Sequence, residues 1–257
     1  MKERESRYVR VARIAYQIAQ ESLPLYAHPK SPHHYTFPQL AACVLLMFYL
    51  DLPYRDMEEW LLASDRVQQV VGLRRVPDHS TLQRTYARLR MRDLEAMKKR
   101  LLEDVGVEEE GIAADSTGYS PGQASQYCQT RNGRRYRHWV KGVYAVGIEQ
   151  QMIIAWGSGW GPGSDAGYLK RLRRGVGAFG RKQGRHRGWV ILADAGFDGR
   201  QVEAGDVIPP IRRAGQLVSR ERQERAELVA QARLDGLYGQ RWKVETVHSV
   251  IKRKFGE

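Results

Sequence analysis

The chain has 257 residues, and its 42 Lys plus Arg against 29 Asp plus Glu give a formal net charge of +13, a field that attracts polyanions and makes nucleic acid the first partner to expect. Its two cysteines, Cys43 and Cys128, form no C-x-x-C pair or other zinc-ligand spacing, which fits a reducing compartment. The longest apolar run, "LAACVLLMFYL" at residues 40–50, is shorter than the roughly 20 residues that cross a bilayer, and the charged N-terminus lacks an apolar signal region, so a cytoplasmic protein without a membrane partner is expected.

The length allows one large domain or two modest ones, and the patterning favours two. From residue 36 to residue 97 apolar residues recur at helical spacing, and Pro38, Pro53 and Pro77 each stand where a helix would begin. Residues 40–50 read as a buried helix. In "VPDHSTLQRTYARLRM", Asp78 or Ser80 can cap a helix with Leu82, Tyr86 and Leu89 on one face and Arg84, Arg88 and Arg92 on another. A short turn before a basic helix suggests a helix-turn-helix arrangement; an ordinary core helix with a solvated cationic side fits the same residues.

After "LLEDVGVEEEG" the pattern changes to strands: "GIAAD" (111–115), "HWVKGVYAVGI" (138–148) and "QMIIAW" (151–156). The expected division is therefore a helical domain over 1–107 and a second domain over 108–257, with the boundary near 104–110. A helix at about 164–176 follows, then the apolar strand "GWVILAD" (188–194), the short "VIPPI" (207–211) and a terminal helix. Strands followed by a helix and a further buried strand predict an α/β fold with a mixed sheet flanked by helices. Two cation-rich runs, at 131–141 and 170–187, contain no acidic residue and are credible contacts for a phosphate backbone. Within the second, "GVGAFG" matches G-x-G-x-x-G but does not follow a strand, so it reads as a loop. The scattered histidines, including His33 and His34, make no zinc site.

Asp115 and Asp194 would each emerge at a strand terminus, where α/β folds place their chemistry; for each alone, turn-forming Asp explains the residue equally well. Asp198 competes with Asp194, which is preferred because it directly ends the apolar strand. Glu245 lies in the cation-rich "YGQRWKVETVHSVIKRKFGE" (238–257). On a continuous helix Tyr238, Arg241, Glu245 and Lys252 fall within an arc of roughly 60°, beside a stripe of Leu237, Val244, Val247 and Ile251 facing the sheet. Pairing of Glu245 with Arg241 one turn earlier accounts for those two residues but leaves Tyr238 and Lys252 unexplained. Trp242, beside the ridge, is assigned to the core; His248, one turn after Glu245, could approach a site built around that residue, and a solvated helix position is preferred.

The spacing Tyr-x2-Arg-x3-Glu-x6-Lys resembles the signature of a group of DDE transposases of bacterial insertion sequences, and Asp115, the "ADAGFDG" containing Asp194, and Glu245 occur in the family's order. "YRDMEEWLLASDRV" and "VPDHSTLQR" likewise resemble the family's N-terminal domain, so the likeness runs from about residue 36 onward. The resemblance implies a ribonuclease-H-like core with a mixed five-stranded sheet, preceded by an all-helical DNA-binding domain. It further implies Asp115, Asp194 and Glu245 as catalytic residues and metal ligands, with Tyr238, Arg241 and Lys252 touching DNA near the cut. Three convergent carboxylates suit two Mg²⁺ ions, or Mn²⁺ in their place. The implied partners are the terminal inverted repeats of the element and target DNA, held by a homodimer at the nucleoid. Relatives usually continue past the position of Glu257, so a truncated copy is expected. A catalytically silent DNA-binding remnant and a general nuclease on the same fold stay open as alternatives.

Overall fold

The structure is a computed structural model that describes residues 5–28, 30, 33–119, 139–161, 163–182, 189–212, 217 and 219–255. Most of the first cation-rich run, the end of the second and Cys128 lie outside the described residues. The chain divides into two compact units, Met1–Gly106 and Val107–Glu257.

The first unit is built from α1 (Arg7–Ser22), α2 (Phe37–Leu50), α3 (Tyr54–Leu62), α4 (Asp65–Val71), α5 (His79–Arg88) and α6 (Met91–Val105). Local chemistry sets the ends of these helices. Thr36 and Gln39 form a reciprocal capping box at the start of α2, with Pro38 in its first turn. Asp51 stops the helix in the left-handed conformation at φ 56°. The Gln39 side chain also donates to the carbonyl of Gly72 (2.6 Å), so one residue caps α2 and pins the end of α4. At α5 the cap is Asp78, which accepts from Thr81 N at 2.8 Å. The core joins Ala42, Cys43, Leu46, Met57, Leu61, Val71 and Leu82, and burial pushes the Cys43 thiol up to about 12. Of the stripe expected on α5, Leu82 is fully buried, whereas Tyr86 is half exposed and lies against Phe48, ring centroids 5.2 Å apart. No single described helix is long and apolar enough to cross a membrane.

The second unit holds a sheet of four described strands, β1 (Gly111–Tyr119), β2 (Val140–Gly147), β3 (Ile153–Trp160) and β4 (Val190–Leu192), in the order β3-β2-β1-β4. β4 runs parallel to β1; the other pairs are antiparallel. The expected fifth strand contributes an isolated parallel bridge, Leu192 to Val207, among the described residues. Pro209 and Pro210 carry no N–H to extend that ladder. β1 continues four residues past Asp115, which therefore sits inside the strand, opposite Tyr144, and does not end it.

Alternation along the strands separates two faces. On one, α7 (Ala166–Lys182) crosses β3, with Gly175 so close that a Cβ there would stand 2.7 Å from that of Ala155. The glycine-rich stretch read as a loop is thus part of a helix, its first glycine demanded by helix-to-sheet contact. On the other face, α8 (Arg220–Leu234) and α9 (Trp242–Phe255) bury Val229, Ala232 and Val244 against Ala113, Val146, Leu192 and Val207.

Glu109, almost fully buried just before β1, locks the β2–β3 hairpin by accepting from Glu149 N (2.6 Å) and Gln150 N (3.0 Å), while burial raises its pKa. The carboxylate fits only because Gly147 has no side chain: a Cβ there would lie 2.0 Å from Glu109 Oε1. Gly147→Ala should displace Glu109 and lower stability by about 2–4 kcal/mol, from overpacking and lost hydrogen bonds. Urea unfolding of the two proteins measures the difference.

Candidate active site

The parallel register of β1 and β4 brings the first two acids to one place. Ala113 lies beside Leu192, and continuing two residues along each strand reaches Asp115 and Asp194. Asp194 follows β4 in extended conformation and caps the short 3₁₀ turn Ala195–Phe197 by accepting from Gly196 N at 2.9 Å. Asp115 shares the face of Ala113, toward α9, so its carboxyl points at the helix that carries Glu245 in its first turn.

Arg241 joins these elements. Its guanidinium lies 3.8 Å from Asp115 Oδ2 and 3.4 Å from Glu245 Oε1. The Asp115 carboxyl is mostly buried, and its pKa is raised above the ordinary aspartate value, foremost by desolvation. A hydrogen bond from the Ser116 backbone and the charge of Arg241 oppose that rise; Asp194 and Glu245 add to it. Both other acids are thus close enough to act on Asp115 electrostatically. Among the described residues, no three His, Cys, Asp or Glu stand close enough to hold a metal ion.

The polar ridge is not one continuous helix. Tyr238 to Arg241 form a 3₁₀ turn, and the α-helix begins at Trp242. The tighter winding lets the Tyr238 hydroxyl reach toward the Ala193 carbonyl (3.4 Å), which ties the turn to the residue before Asp194. Lys252 sits over the ring of Tyr119 at 5.8 Å. Trp242 is 53% exposed and does not join the core.

His248 is buried, not solvated, against the ring of Tyr144 (5.4 Å between centroids). Burial first, and the charge of Lys252 second, push its pKa down to about 4. The hydroxyls of Tyr119 and Tyr144 lie 2.8 Å apart on the same face as Asp115. Gly142 makes room for the pair, since a Cβ there would stand 2.8 Å from both side chains. Sequence reasoning missed these residues; counting by twos from Asp115 along β1 finds Tyr119, but the β1–β2 register is needed to find Tyr144.

Asp198, the competitor of Asp194, has a different setting. It is buried, paired at 3.0 Å with both Arg222 and Arg225, and accepts from Ile211 N at 2.9 Å. Its lone pairs hold α8 to the chain after β4.

The family model for a transposase DDE domain matches residues 107–257, more than half of the chain, beginning just before the sheet starts at Gly111. The chain belongs to the DDE transposase family. No curated protein and no solved structure matches it. Membership makes the unit 107–257 a transposase domain acting on DNA, and its mixed α/β sheet with helices on both faces is of the ribonuclease-H-like kind that a DDE domain implies. DDE transposases generally use divalent metal ions, and carboxylates are the hard oxygen donors such ions take.

Two predictions test which buried polar groups hold this transposase domain together. Asp198→Ala leaves buried Arg225 without its counter-charge and should cost about 3–5 kcal/mol in urea unfolding, whereas Asp194→Asn keeps the turn cap and should stay within about 1 kcal/mol of the parent. His248 is neutral in the folded chain and protonates more readily when unfolded, so its contribution to stability is present above about pH 6.5 and lost as pH falls toward about 4. His248→Phe should flatten that part of the stability profile, read as the urea midpoint against pH.

Proposed function

We propose that the chain is the transposase of a bacterial insertion sequence, of the group with the Tyr-Arg-Glu-Lys signature, and that it cuts and joins DNA with Asp115, Asp194 and Glu245. One observation carries the reading. A single guanidinium, Arg241, pairs with carboxylates from β1 and α9, while the carboxylate following β4 acts on the same Asp115. Two acids from two elements share one arginine, and a third adds its negative charge at Asp115, an excess that bound divalent cations would neutralise.

Asp115, Asp194 and Glu245 are the residues that would hold two Mg²⁺ ions, or Mn²⁺. Bound there, such a pair supplies activation of the attacking oxygen and stabilisation of the leaving oxygen during in-line displacement at phosphorus. The side chains do the positioning. Glu245 is largely exposed and paired with Arg241 at 3.4 Å, and Asp115 is mostly buried within β1. Arg241 balances the acids before substrate arrives and offers its planar donors to a DNA phosphate once that charge is otherwise met. Tyr238 and Lys252 extend the contact along the backbone on either side. With water as the attacker the product is a nick; with a DNA 3′-hydroxyl it is a joined strand. In this reading the helical domain, residues 1–107, binds DNA. The partners are terminal inverted repeats and target DNA, two ends being held by a homodimer in the cytoplasm at the nucleoid.

The test uses DNA carrying the element's inverted ends. Added Mg²⁺ should produce nicks that Glu245→Gln abolishes and EDTA prevents. In the absence of DNA, Mg²⁺ or Mn²⁺ should raise the melting temperature of the parent chain and have a smaller effect on Asp115→Asn. Continued cutting by Glu245→Gln overturns the role of that residue. Cutting of any DNA regardless of its ends assigns a general nuclease, and tight binding without products under either metal assigns a silent DNA-binding remnant.

A further inference from the structure

On the sheet face that carries Asp115, two tyrosines stand beside the acids and have no part in the catalytic reading. Tyr119 lies further along β1, and Tyr144 pairs with Asp115 across the β1–β2 ladder. Their hydroxyls meet at 2.8 Å. The two rings converge over Gly142, where a Cβ would stand 2.8 Å from Cε2 of Tyr119 and from both Cε2 and the hydroxyl of Tyr144, so the pair closes only because that residue is glycine. Both side chains are half-buried.

Helix α9 covers the pair. His248 is buried with its ring on that of Tyr144, and its Nε2 has no hydrogen-bond partner among the described residues. One turn later Lys252 places its ammonium over the Tyr119 ring, 5.8 Å from the centroid. The spacings along the two elements agree. Glu245 and Lys252 are separated by roughly 10 Å of helix, and Asp115 and Tyr119 by roughly 13 Å of strand. Strand and helix therefore meet at two levels: Arg241 bridges Asp115 and Glu245 at the first, and Tyr119 faces Lys252 at the second.

A lysine left in water spreads its ammonium over many rotamers and loses that freedom on gripping a phosphate. The electron-rich face of a ring within about 6 Å attracts the ammonium without neutralising it, so the charge stays available to an anion. A carboxylate in the same place would cancel it. We propose that Tyr119 is a positioning residue for DNA: its ring, fixed by the Tyr144 hydroxyl over Gly142, seats the Lys252 ammonium in advance for a backbone phosphate two helical turns from Glu245. The inference rests on the reading of Lys252 as a DNA contact and adds the group that sets where that contact falls.

The first measurement needs no DNA. In the full chain, isotope-labelled at lysine Cε, the Lys252 methylene should resonate upfield of the other lysines because it neighbours a ring, and Lys252→Met assigns the signal by removing it. Tyr119→Leu should move it in among the others; Tyr119→Phe, which keeps the ring and loses the hydroxyl bond, should retain part of the shift. The second is fluorescence anisotropy, in EDTA, of a labelled duplex carrying the element's end. Lys252→Met should reduce the slope of log K against log salt by about 1. Tyr119→Leu should weaken binding about two- to fivefold in the parent chain and have no further effect in the Lys252→Met background. A parent Lys252 signal lying among the other lysines overturns the proposal, whether or not the Tyr119 variants fold. So does an equal loss of affinity from Tyr119→Leu with and without Lys252, which would give the tyrosine a role of its own. Unchanged binding by Lys252→Met, with the shifted signal present in the parent, would sink the DNA contact of the catalytic reading alone and leave the seat of the ammonium on the ring standing.

Discussion

A carboxylate placed inside a sheet, under a helix, needs positive charge nearby. Asp115 is in that position: its strand continues past it on both sides, α9 covers its face, and desolvation raises its pKa. Arg241 supplies the charge from the turn before α9, and the rest of the domain holds that guanidinium in reach. Val244 anchors the start of the helix in the core, and Tyr238 ties the 3₁₀ turn to the end of β4. At 3.8 and 3.4 Å from its two acids, Arg241 makes looser contacts than the 3.0 Å pairs around Asp198. A balance of that kind can be exchanged for another cation at low cost.

The contrast with other buried acids sharpens the point. Asp198 is gripped by two arginines and a backbone amide. Asp206 accepts from Glu203 N (2.9 Å) and pairs with Arg173, and Glu109 caps a hairpin through two amides. Each spends its oxygens on the fold, and loss of any of them leaves donors buried without acceptors. Asp115 instead has two further acids acting on it, since the charges of Asp194 and Glu245 add to the rise that burial gives its pKa.

Several elements were legible from local chemistry alone. Pro38, Pro53 and Pro77 stand at or beside helix starts, and Asp78 caps α5, because these signals act over a few residues and need no tertiary partner. The three core strands before α7 followed from β-branched and aromatic runs. Where the reading went astray, a distant contact had decided the matter. The glycine-rich stretch entered a helix because Gly175 meets Ala155. His248 was buried by Tyr144, and Trp242 stayed exposed because the helix turns Val244 inward beside it. The ridge of Tyr238, Arg241, Glu245 and Lys252 assumed one uniform helix, and a 3₁₀ turn broke it.

By itself, then, the amino-acid order determined which side chains carry charge, where helices can start, and which spacing of Tyr, Arg, Glu and Lys sets the family likeness. Those are properties of composition and of neighbours along the chain. Only the tertiary structure decided that Asp115 lies within a strand opposite Tyr144, that the β1–β4 register brings Asp194 alongside it, and that Asp198 belongs to Arg222 and Arg225. Strand register and helix docking minimise exposed apolar surface over the whole unit, and residues 79 positions apart are set side by side by that sum, which no local window contains.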